Sequence, residues 1–294
     1  MCGIAGYLIK DNKRVRSISL HTLCRSLLGN IASRGRDATG YAYISNTTKK
    51  VCLAKAPVES CDFLNISGHL LSTKAPKVMP RTMLLHVRSA TQGEPDNNQN
   101  NHPIYAKASG LCMVHNGWFW NDADIVKTHK LTVDAEVDSE VYLKLIEKYA
   151  LSEKSVGRGI YKATEEFVGS IACGMIQASK PGHMWLWRDS GSLAVAEVDF
   201  GYVFASTKDA LIQSLYTMHA NDMSYFRLIQ FPYDTLIYLS AQEDVPYEGK
   251  LSVPDYMPEP TFGHTIITYG ETTRKRPFRS SKGAYKQNYD NYFE

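Results

Sequence analysis

Cys2 is the residue whose position in this sequence most directly suggests chemistry. Removal of Met1, which a small second residue such as cysteine generally permits, leaves Cys2 with both a thiol and a free α-amine. An α-amine titrates near neutrality, so it can take the thiol proton and activate the nucleophile without a histidine partner. The alternative interpretation is a small apolar side chain in a first strand, and position alone favours that alternative.

Downstream of Cys2, polar residues recur in five short blocks. The blocks read RGRDATG, HVRSATQG, NHP, VHNG and AEVDSEV, at positions 34–40, 86–93, 101–103, 114–117 and 135–141. Each has an ordinary structural explanation, since arginine at a strand end makes surface pairs, Asn-Gly favours a turn and aspartate before serine starts a helix. Taken singly, each of these structural explanations is the better one.

These blocks, in this order, resemble those of the class II glutamine amidotransferases, which belong to the N-terminal nucleophile hydrolases. Residues 2–6 resemble the N-terminus of that family, and the later blocks resemble its RGxDxxG, HTRxATxG, NAHP, VHNG and SETDTEV blocks. The resemblance covers residues 2–215. It implies an α+β fold, namely a four-layer αββα sandwich, and hydrolysis of L-glutamine to glutamate and ammonia.

The resemblance implies a catalytic group of three residues. Cys2 would attack the side-chain amide carbon of glutamine and form a thioester. The side-chain amide of Asn116 and the backbone N–H of Gly117 would donate to the oxyanion that develops, as such preset donors must.

The resemblance also implies a substrate-binding group. Arg88 would bind the α-carboxylate through its planar guanidinium, and Asp138 would pair with the α-ammonium group. Thr91 and Gln92 would add hydrogen bonds. The two charges together select a free amino acid and reject peptide amides, whose ends are neutral.

Two positions depart from the family pattern. Sugar-phosphate aminating members often have Trp after the arginine and His after the threonine, where this chain has Ser89 and Gln92. The departures leave the subfamily open, so sugar phosphates, amino acids and modified nucleobases all remain as ammonia acceptors.

Two other functions also remain open at this point. One is an N-terminal-nucleophile amidase acting on another amide, such as a γ-glutamyl compound, which would tolerate substrates without a free α-amine or α-carboxylate. The other is a non-catalytic binding module of the same fold whose basic tail contacts nucleic acid.

His86, His102 and His115 lie within the blocks and permit a metal-binding interpretation. No cysteine lies in a CxxC pair or in a Cys/His cluster with zinc spacing. We therefore interpret the histidines as structural hydrogen-bonding groups, and the sequence predicts neither a metal nor a cofactor.

The hydrophobic pattern predicts the elements that position these residues. Apolar runs and alternation predict strands at 2–9, 41–44, 51–54, 81–87, 111–115, 170–176, 184–187, 193–198, 202–205 and 236–239. A helical repeat predicts helices at 18–33, 139–150, 157–167 and 207–215, with Ser139 as a cap. We expect a tight turn at Asn116-Gly117 and a functional polar loop at 92–101. Grouped strands with helices between the groups favour mostly antiparallel sheets.

The composition limits the classes of function that the chain can have. The 294 residues are 44% hydrophobic and 21% charged, which excludes wholesale disorder. No apolar run is long enough to span a membrane and no secretory signal is found, so a cytoplasmic location is expected. Residues 271–294 carry six basic and three acidic groups, which accounts for the net charge of +3. A neutral body with a basic tail is not typical of a nucleic-acid-binding protein.

The sequence predicts a glutaminase domain at 2–250 and a basic, partly disordered, irregular extension at 251–294. About 80 residues follow the last family block, and they contain no phosphate-binding signature. Such a segment cannot build a synthase domain. The expected partners are therefore L-glutamine and a separate ammonia-accepting synthase protein, with no membrane contact.

Overall fold

The computed structural model describes residues 1–72, 74, 76–218 and 223–241, apart from the side chain at position 12, and the backbone of 246–251 and 264–269. Its strands are β1 (Gly3–Ile9), β2 (Ala38–Ile44), β3 (Val51–Ala56), β4 (Thr82–Arg88), β5 (Ile104–Ala106), β6 (Leu111–Phe119), β7 (Gly169–Gln177), β8 (His183–Arg188), β9 (Ala194–Val198), β10 (Gly201–Ala205), β11 (Phe226–Ile229), β12 (Thr235–Ser240), β13 (Pro246–Leu251) and β14 (His264–Tyr269). Its α-helices are α1 (Ser17–Ile31), α2 (Ser60–Asn65), α3 (Asp122–His129), α4 (Asp138–Glu153), α5 (Val156–Glu166) and α6 (Lys208–Tyr216).

The strands form two sheets of seven strands each. The first sheet has the order β11-β9-β10-β1-β4-β2-β3, and the second has the order β13-β14-β12-β8-β7-β6-β5. Every described strand pair is antiparallel except β13 with β14, which is parallel. The sheets are therefore mostly antiparallel, as predicted.

Apolar side chains form three cores between four layers. One core joins α1, α2 and α6 to the first sheet, and another joins α3, α4 and α5 to the second sheet. The third lies between the two sheets and contains side chains from both, including Leu84, Val114 and Leu186. The order helices, sheet, sheet, helices is the αββα sandwich, so the predicted fold class is confirmed.

Alternation along β1 decides where its first residues point. Ile4 and Leu8 belong to the core between the sheets, whereas Ala5 and Tyr7 belong to the core under the helices. Successive side chains of a strand point to opposite faces, so the same period directs Cys2 to the space between the sheets.

Each strand and helix that the hydrophobic pattern predicts is present, with shifted boundaries. The pattern missed the short elements α2, α3, β5 and β11, which contain too few residues to show a period. It also missed β13 and β14.

Two local predictions are wrong. No turn occurs at Asn116-Gly117, because β6 runs through both residues and pairs Gly117 with Ile171 of β7. Ser139 does not cap α4, since that helix begins at Asp138 and its cap position, Val137, makes no side-chain hydrogen bond. In both cases a tertiary contact outweighs the local preference of the residue.

The predicted C-terminal extension begins at the last residue of β13 and contains β14. Its other residues, including the basic segment 271–294, lie outside the described residues. Among the helices that the structure describes, none has both the length and the apolar character that crossing a membrane requires.

Candidate active site

The predicted nucleophile Cys2 lies at the point where β1 begins and β4 ends. Gly3 of β1 pairs with Val87 of β4, which brings Cys2 beside Ser89. The Ser89 backbone N–H donates to the Cys2 Sγ over 3.4 Å, and the thiol donates to the Ser89 carbonyl over 3.5 Å. These two hydrogen bonds hold the half-buried thiol against the end of β4.

The environment of Cys2 keeps its thiol protonated. Burial raises the pKa of Cys2, and the Asp138 carboxylate raises it further, while the Ser89 N–H, the chain's amino terminus and Arg88 act in the opposite direction. A thiol with a raised pKa needs a base before it can attack. Arg88 and Asp138 therefore lie close enough to Cys2 to influence the pKa of its thiol.

Arg88 is the last residue of β4, and its guanidinium is almost fully buried. Its Nη1 donates to the Asn101 Oδ1 over 2.8 Å, and its Nη2 donates to the Gln92 and Gly93 carbonyls over 2.5 and 2.8 Å. Burial lowers the pKa of Arg88, while the acidic groups around it, with the Cys2 thiol, favour the charged form. The loop that follows β4 thus wraps around the guanidinium.

Residues of the RGRDATG block hold Cys2 and the end of β4. The Arg34 Nε donates to the Cys2 carbonyl over 2.8 Å. The Asp37 backbone N–H donates to the Arg88 carbonyl over 3.0 Å, and its carboxylate accepts from the Ala90 N–H over 2.7 Å. An added Cβ at Gly35 would lie 2.3 Å from the Arg88 carbonyl carbon, so only glycine permits this approach.

Asn116 and Gly117 lie in β6 of the second sheet. Asn116 shares a face with Val114, whose side chain lies in the core between the sheets. Gly117 has φ +155°, and a Cβ there would lie 1.9 Å from the Ser170 carbonyl oxygen. The backbone of β6 therefore requires glycine at this position.

Asp138 opens α4 and is tied directly to β6. Its Oδ2 accepts from the Phe119 backbone N–H over 2.9 Å, and its Oδ1 accepts from the Ser139 hydroxyl over 3.1 Å. The Ser139 Oγ also lies 2.8 Å from the His115 Nδ1, which is the contact that takes the place of the predicted cap. The helix and the strand thus fix the carboxylate relative to Asn116.

Thr91 and Gln92 are not gathered into this cluster in the same way. Both are exposed, and the Gln92 Nε2 donates to the Asp122 carboxylate of α3 over 3.0 Å. Only the backbone carbonyl of Gln92 touches Arg88. Their predicted side-chain contacts with the substrate stay predictions.

The three histidines form a buried cluster beneath the site. The His86 Nε2 lies 3.0 Å from the His115 carbonyl, and the His86 and His102 rings stack with centroids 4.2 Å apart. Burial lowers the pKa of all three, to about 3 for His86, so the rings are neutral near neutrality. His86 and His115 make the hydrogen bonds expected of structural residues.

Sequence reasoning assigned no role to several residues that build the site. Asn101, Asp37 and Arg34 lie inside the quoted blocks, which is the signal that could have found them. Lys55 lies outside every block, yet its ammonium contacts the backbone of the loop at 101–103.

Comparison with solved structures defines the class of fold. Glutamine phosphoribosylpyrophosphate amidotransferase from B. subtilis aligns with a TM-score of 0.62 and 17% identity, over 81% of this chain and 47% of that chain. A second structure, described as the allosteric regulatory enzyme of purine biosynthesis, aligns with a TM-score of 0.57 and 16% identity, over 82% of this chain and 47% of that one. The chain therefore shares the fold of these two structures.

Sequence comparison finds similar proteins as well. A family model described as a glutamine amidotransferase domain matches residues 86–213. Glutamine–fructose-6-phosphate aminotransferases from Staphylococcus aureus and Staphylococcus epidermidis are 25% and 24% identical, over 72% and 73% of this chain. Part of the chain is therefore similar to a glutamine amidotransferase domain. The chain spans only 33% of the length of these relatives.

Proposed function

We propose that this domain hydrolyses the side-chain amide of L-glutamine, with Cys2 as the nucleophile. The observation that supports this most strongly is the Cys2 thiol, held 3.4 Å from the Ser89 N–H and within the electrostatic reach of Arg88 and Asp138. A nucleophile beside one cation and one anion suits a substrate that carries both charges at one end. Free glutamine is such a substrate.

The general base in this proposal is the α-amine of Cys2. Met1 is 81% exposed, which leaves the bond before Cys2 accessible to an aminopeptidase. After cleavage, the amine takes the thiol proton while Sγ bonds to the amide carbon. The amine then protonates the leaving nitrogen, the C–N bond breaks and ammonia departs, leaving a thioester. Water, deprotonated by the same amine, attacks the thioester, and glutamate leaves as the thiol re-forms.

The proposed oxyanion donors are the Asn116 side-chain amide and the Gly117 N–H. Just after β6, the Trp120 N–H donates to the Val168 carbonyl, which immediately precedes β7, whereas the Phe119 N–H points the other way, to Asp138. Backbone N–H groups alternate along a strand, so the Gly117 N–H points away from β7 as well. β5 pairs only with Leu111–Met113, so this N–H lies beyond the end of β5.

Arg88 and Asp138 are proposed to bind the two charged groups of glutamine. Three hydrogen bonds hold the guanidinium against the loop after β4, and its remaining N–H groups are left for the α-carboxylate. Asp138 would accept from the α-ammonium group with the lone pairs that Phe119 and Ser139 do not use. Glutamine analogues without either charge are therefore expected to be poor substrates.

The test measures glutamate release from glutamine by protein whose Met1 is shown by intact mass to be absent. We expect turnover in the wild type, none above background in Cys2→Ala, and full activity in Cys61→Ala, which removes an exposed thiol elsewhere. Equal turnover in wild type and Cys2→Ala would reject the proposal. Equal turnover of analogues that lack the α-amine or α-carboxylate would favour the amidase with a different amide substrate.

We propose further that the ammonia is passed to an acceptor bound by a synthase partner. The support is that the matched relatives are about three times the length of the aligned part, since the chain covers 33% of each. Transfer of the amide nitrogen of isotopically labelled glutamine to a product of the co-purifying enzyme would test this step. The cytoplasmic location stays a prediction.

A further inference from the structure

We propose that Lys55 is a positioning residue for the α-carboxylate of glutamine, because it fixes the loop that holds Arg88. The proposal rests on the glutaminase function argued above and deepens it. Lys55 lies in β3, at the edge of the first sheet, and none of the sequence blocks includes it.

The Lys55 ammonium is anchored on two backbone carbonyls of one loop. Its Nζ donates to the Asn101 carbonyl over 2.5 Å and to the Pro103 carbonyl over 3.2 Å. Hydrogen bonds from a charged donor are stronger than neutral ones, so they restrain the backbone at 101–103.

The restrained loop in turn holds Arg88. Asn101 is fully buried, and its Oδ1 accepts from the Arg88 Nη1 over 2.8 Å. The same residue whose carbonyl binds Lys55 therefore supplies the side chain that orients the guanidinium. Without Lys55, the Asn101 carbonyl loses a charged donor and the loop gains freedom to move away from Arg88.

Other contacts show that this packing is close and specific. The Asn98 Nδ2 donates to the Lys55 carbonyl over 2.9 Å, so the loop also binds the backbone of β3. A Cβ at Gly40 of β2 would lie 2.2 Å from the His102 carbonyl oxygen, so the last glycine of its block lets the loop approach the sheet.

The electrostatic surroundings of Lys55 also support its role as a positioning residue. Burial lowers the pKa of Lys55 to about 8, and nearby Arg88 lowers it too, while Glu140 and the Cys112 thiol favour the charged form. A carboxylate bound at Arg88 would add a negative charge beside Lys55 and raise its pKa. By linkage, glutamine then binds more weakly as pH rises above about 8 and Lys55 loses its proton.

The main test compares Lys55→Met with Lys55→Arg, and uses Lys50→Met, at an exposed lysine just before β3, as the control. For Lys55→Met we expect KM for glutamine to rise about tenfold with kcat nearly unchanged, because the lost contacts orient a binding group. Lys55→Arg keeps the charge and should recover most of the affinity. For a glutamine analogue whose α-carboxylate is replaced by a carboxamide, Lys55→Met should have no effect on kcat/KM.

An unchanged KM in Lys55→Met, or an equal loss with glutamine and with the carboxamide analogue, would overturn the role of Lys55. If Lys55→Met does not fold, the pH dependence decides. KM of the wild type should rise above pH about 8 and that of Lys55→Arg should not, whereas identical profiles would overturn the proposal. Absence of glutaminase activity in the wild type would instead remove the proposed function itself.

Discussion

At the scale of single residues, Arg88 shows how much of a site can depend on the geometry of one side chain. Its guanidinium spans Asn101 on one side and the carbonyls of Gln92 and Gly93 on the other. A planar fork can keep these contacts and still present N–H groups to a carboxylate, which a single ammonium cannot do.

Arg88→Lys is therefore expected to lower kcat/KM for glutamine by about a hundredfold, because the loop and the substrate would compete for one ammonium group. Steady-state kinetics on the variant measure this effect. Arg36→Lys, at an exposed position in the neighbouring block, is the matched control and should leave kcat/KM unchanged. Similar constants for Arg88→Lys and the wild type would exclude Arg88 from carboxylate binding.

Asn116→Ala is expected to act on the chemical step. It removes one proposed oxyanion donor from a buried position, so kcat should fall by about two to three orders of magnitude while KM changes little. Asn65→Ala, at the exposed end of α2, supplies the comparison and should leave kcat unchanged. A KM effect without loss of kcat would assign Asn116 to substrate binding instead.

At the scale of elements, β6 explains why an Asn-Gly pair forms no turn here. Gly117 lies mid-strand at φ +155°, and the Ser170 carbonyl occupies the space of a Cβ.

Gly117→Ala should lower the free energy of unfolding by about 2 kcal/mol or more and abolish activity. Gly29→Ala should do the opposite, raising it by about 0.5–1 kcal/mol, since α1 has open space at this exposed position. Urea titrations of both variants measure the difference, and equal stability of Gly117→Ala and the wild type would refute the steric argument.

The same strand marks the limit of what the sequence predicts. Apolar periodicity predicts β1, α1, β4 and α4, because each buries a regular stripe against a core. It does not report register, and therefore could not show that β6 passes through Gly117 or that α4 starts at Asp138.

The residues of the candidate site are likewise only partly predictable from the sequence. Cys2, Arg88 and Asp138 lie near one another because each lies at the end of a predicted element, and their roles in catalysis and binding stay predictions. Lys55 could not be found from the sequence, since its role depends on a contact with Asn101, 46 positions away. Gln92 was assigned a substrate contact from its place in a block, while its side chain pairs with Asp122.

At the scale of the whole molecule, the site lies where the two sheets meet. Cys2 and Arg88 come from the first sheet, and Asn116 comes from the second. His86 of β4 reaches the carbonyl of His115 in β6, so one hydrogen bond joins the sheets beside the reacting groups. The distance between the proposed nucleophile and the proposed oxyanion donors therefore depends on how the sheets pack on each other.

The three buried histidines should make the stability of the fold sensitive to acid. Burial lowers the pKa of His86, His102 and His115 in the folded protein, whereas the unfolded chain binds protons near the ordinary value of 6.5. The stability that depends on neutral rings is thus complete above pH 6.5 and is lost as pH falls toward 3, the approximate folded pKa of His86. Each histidine contributes a slope of about 1.4 kcal/mol per pH unit where only the unfolded chain is protonated.

Urea titrations between pH 7 and pH 4 measure this slope, and His86→Gln isolates one histidine while keeping a donor for the His115 carbonyl. The variant should lose about 1.4 kcal/mol per pH unit of the slope, because one fewer proton is taken up on unfolding. Parallel curves for the two proteins would mean that His86 is protonated in the folded state. His86 would then not account for the loss of stability in acid.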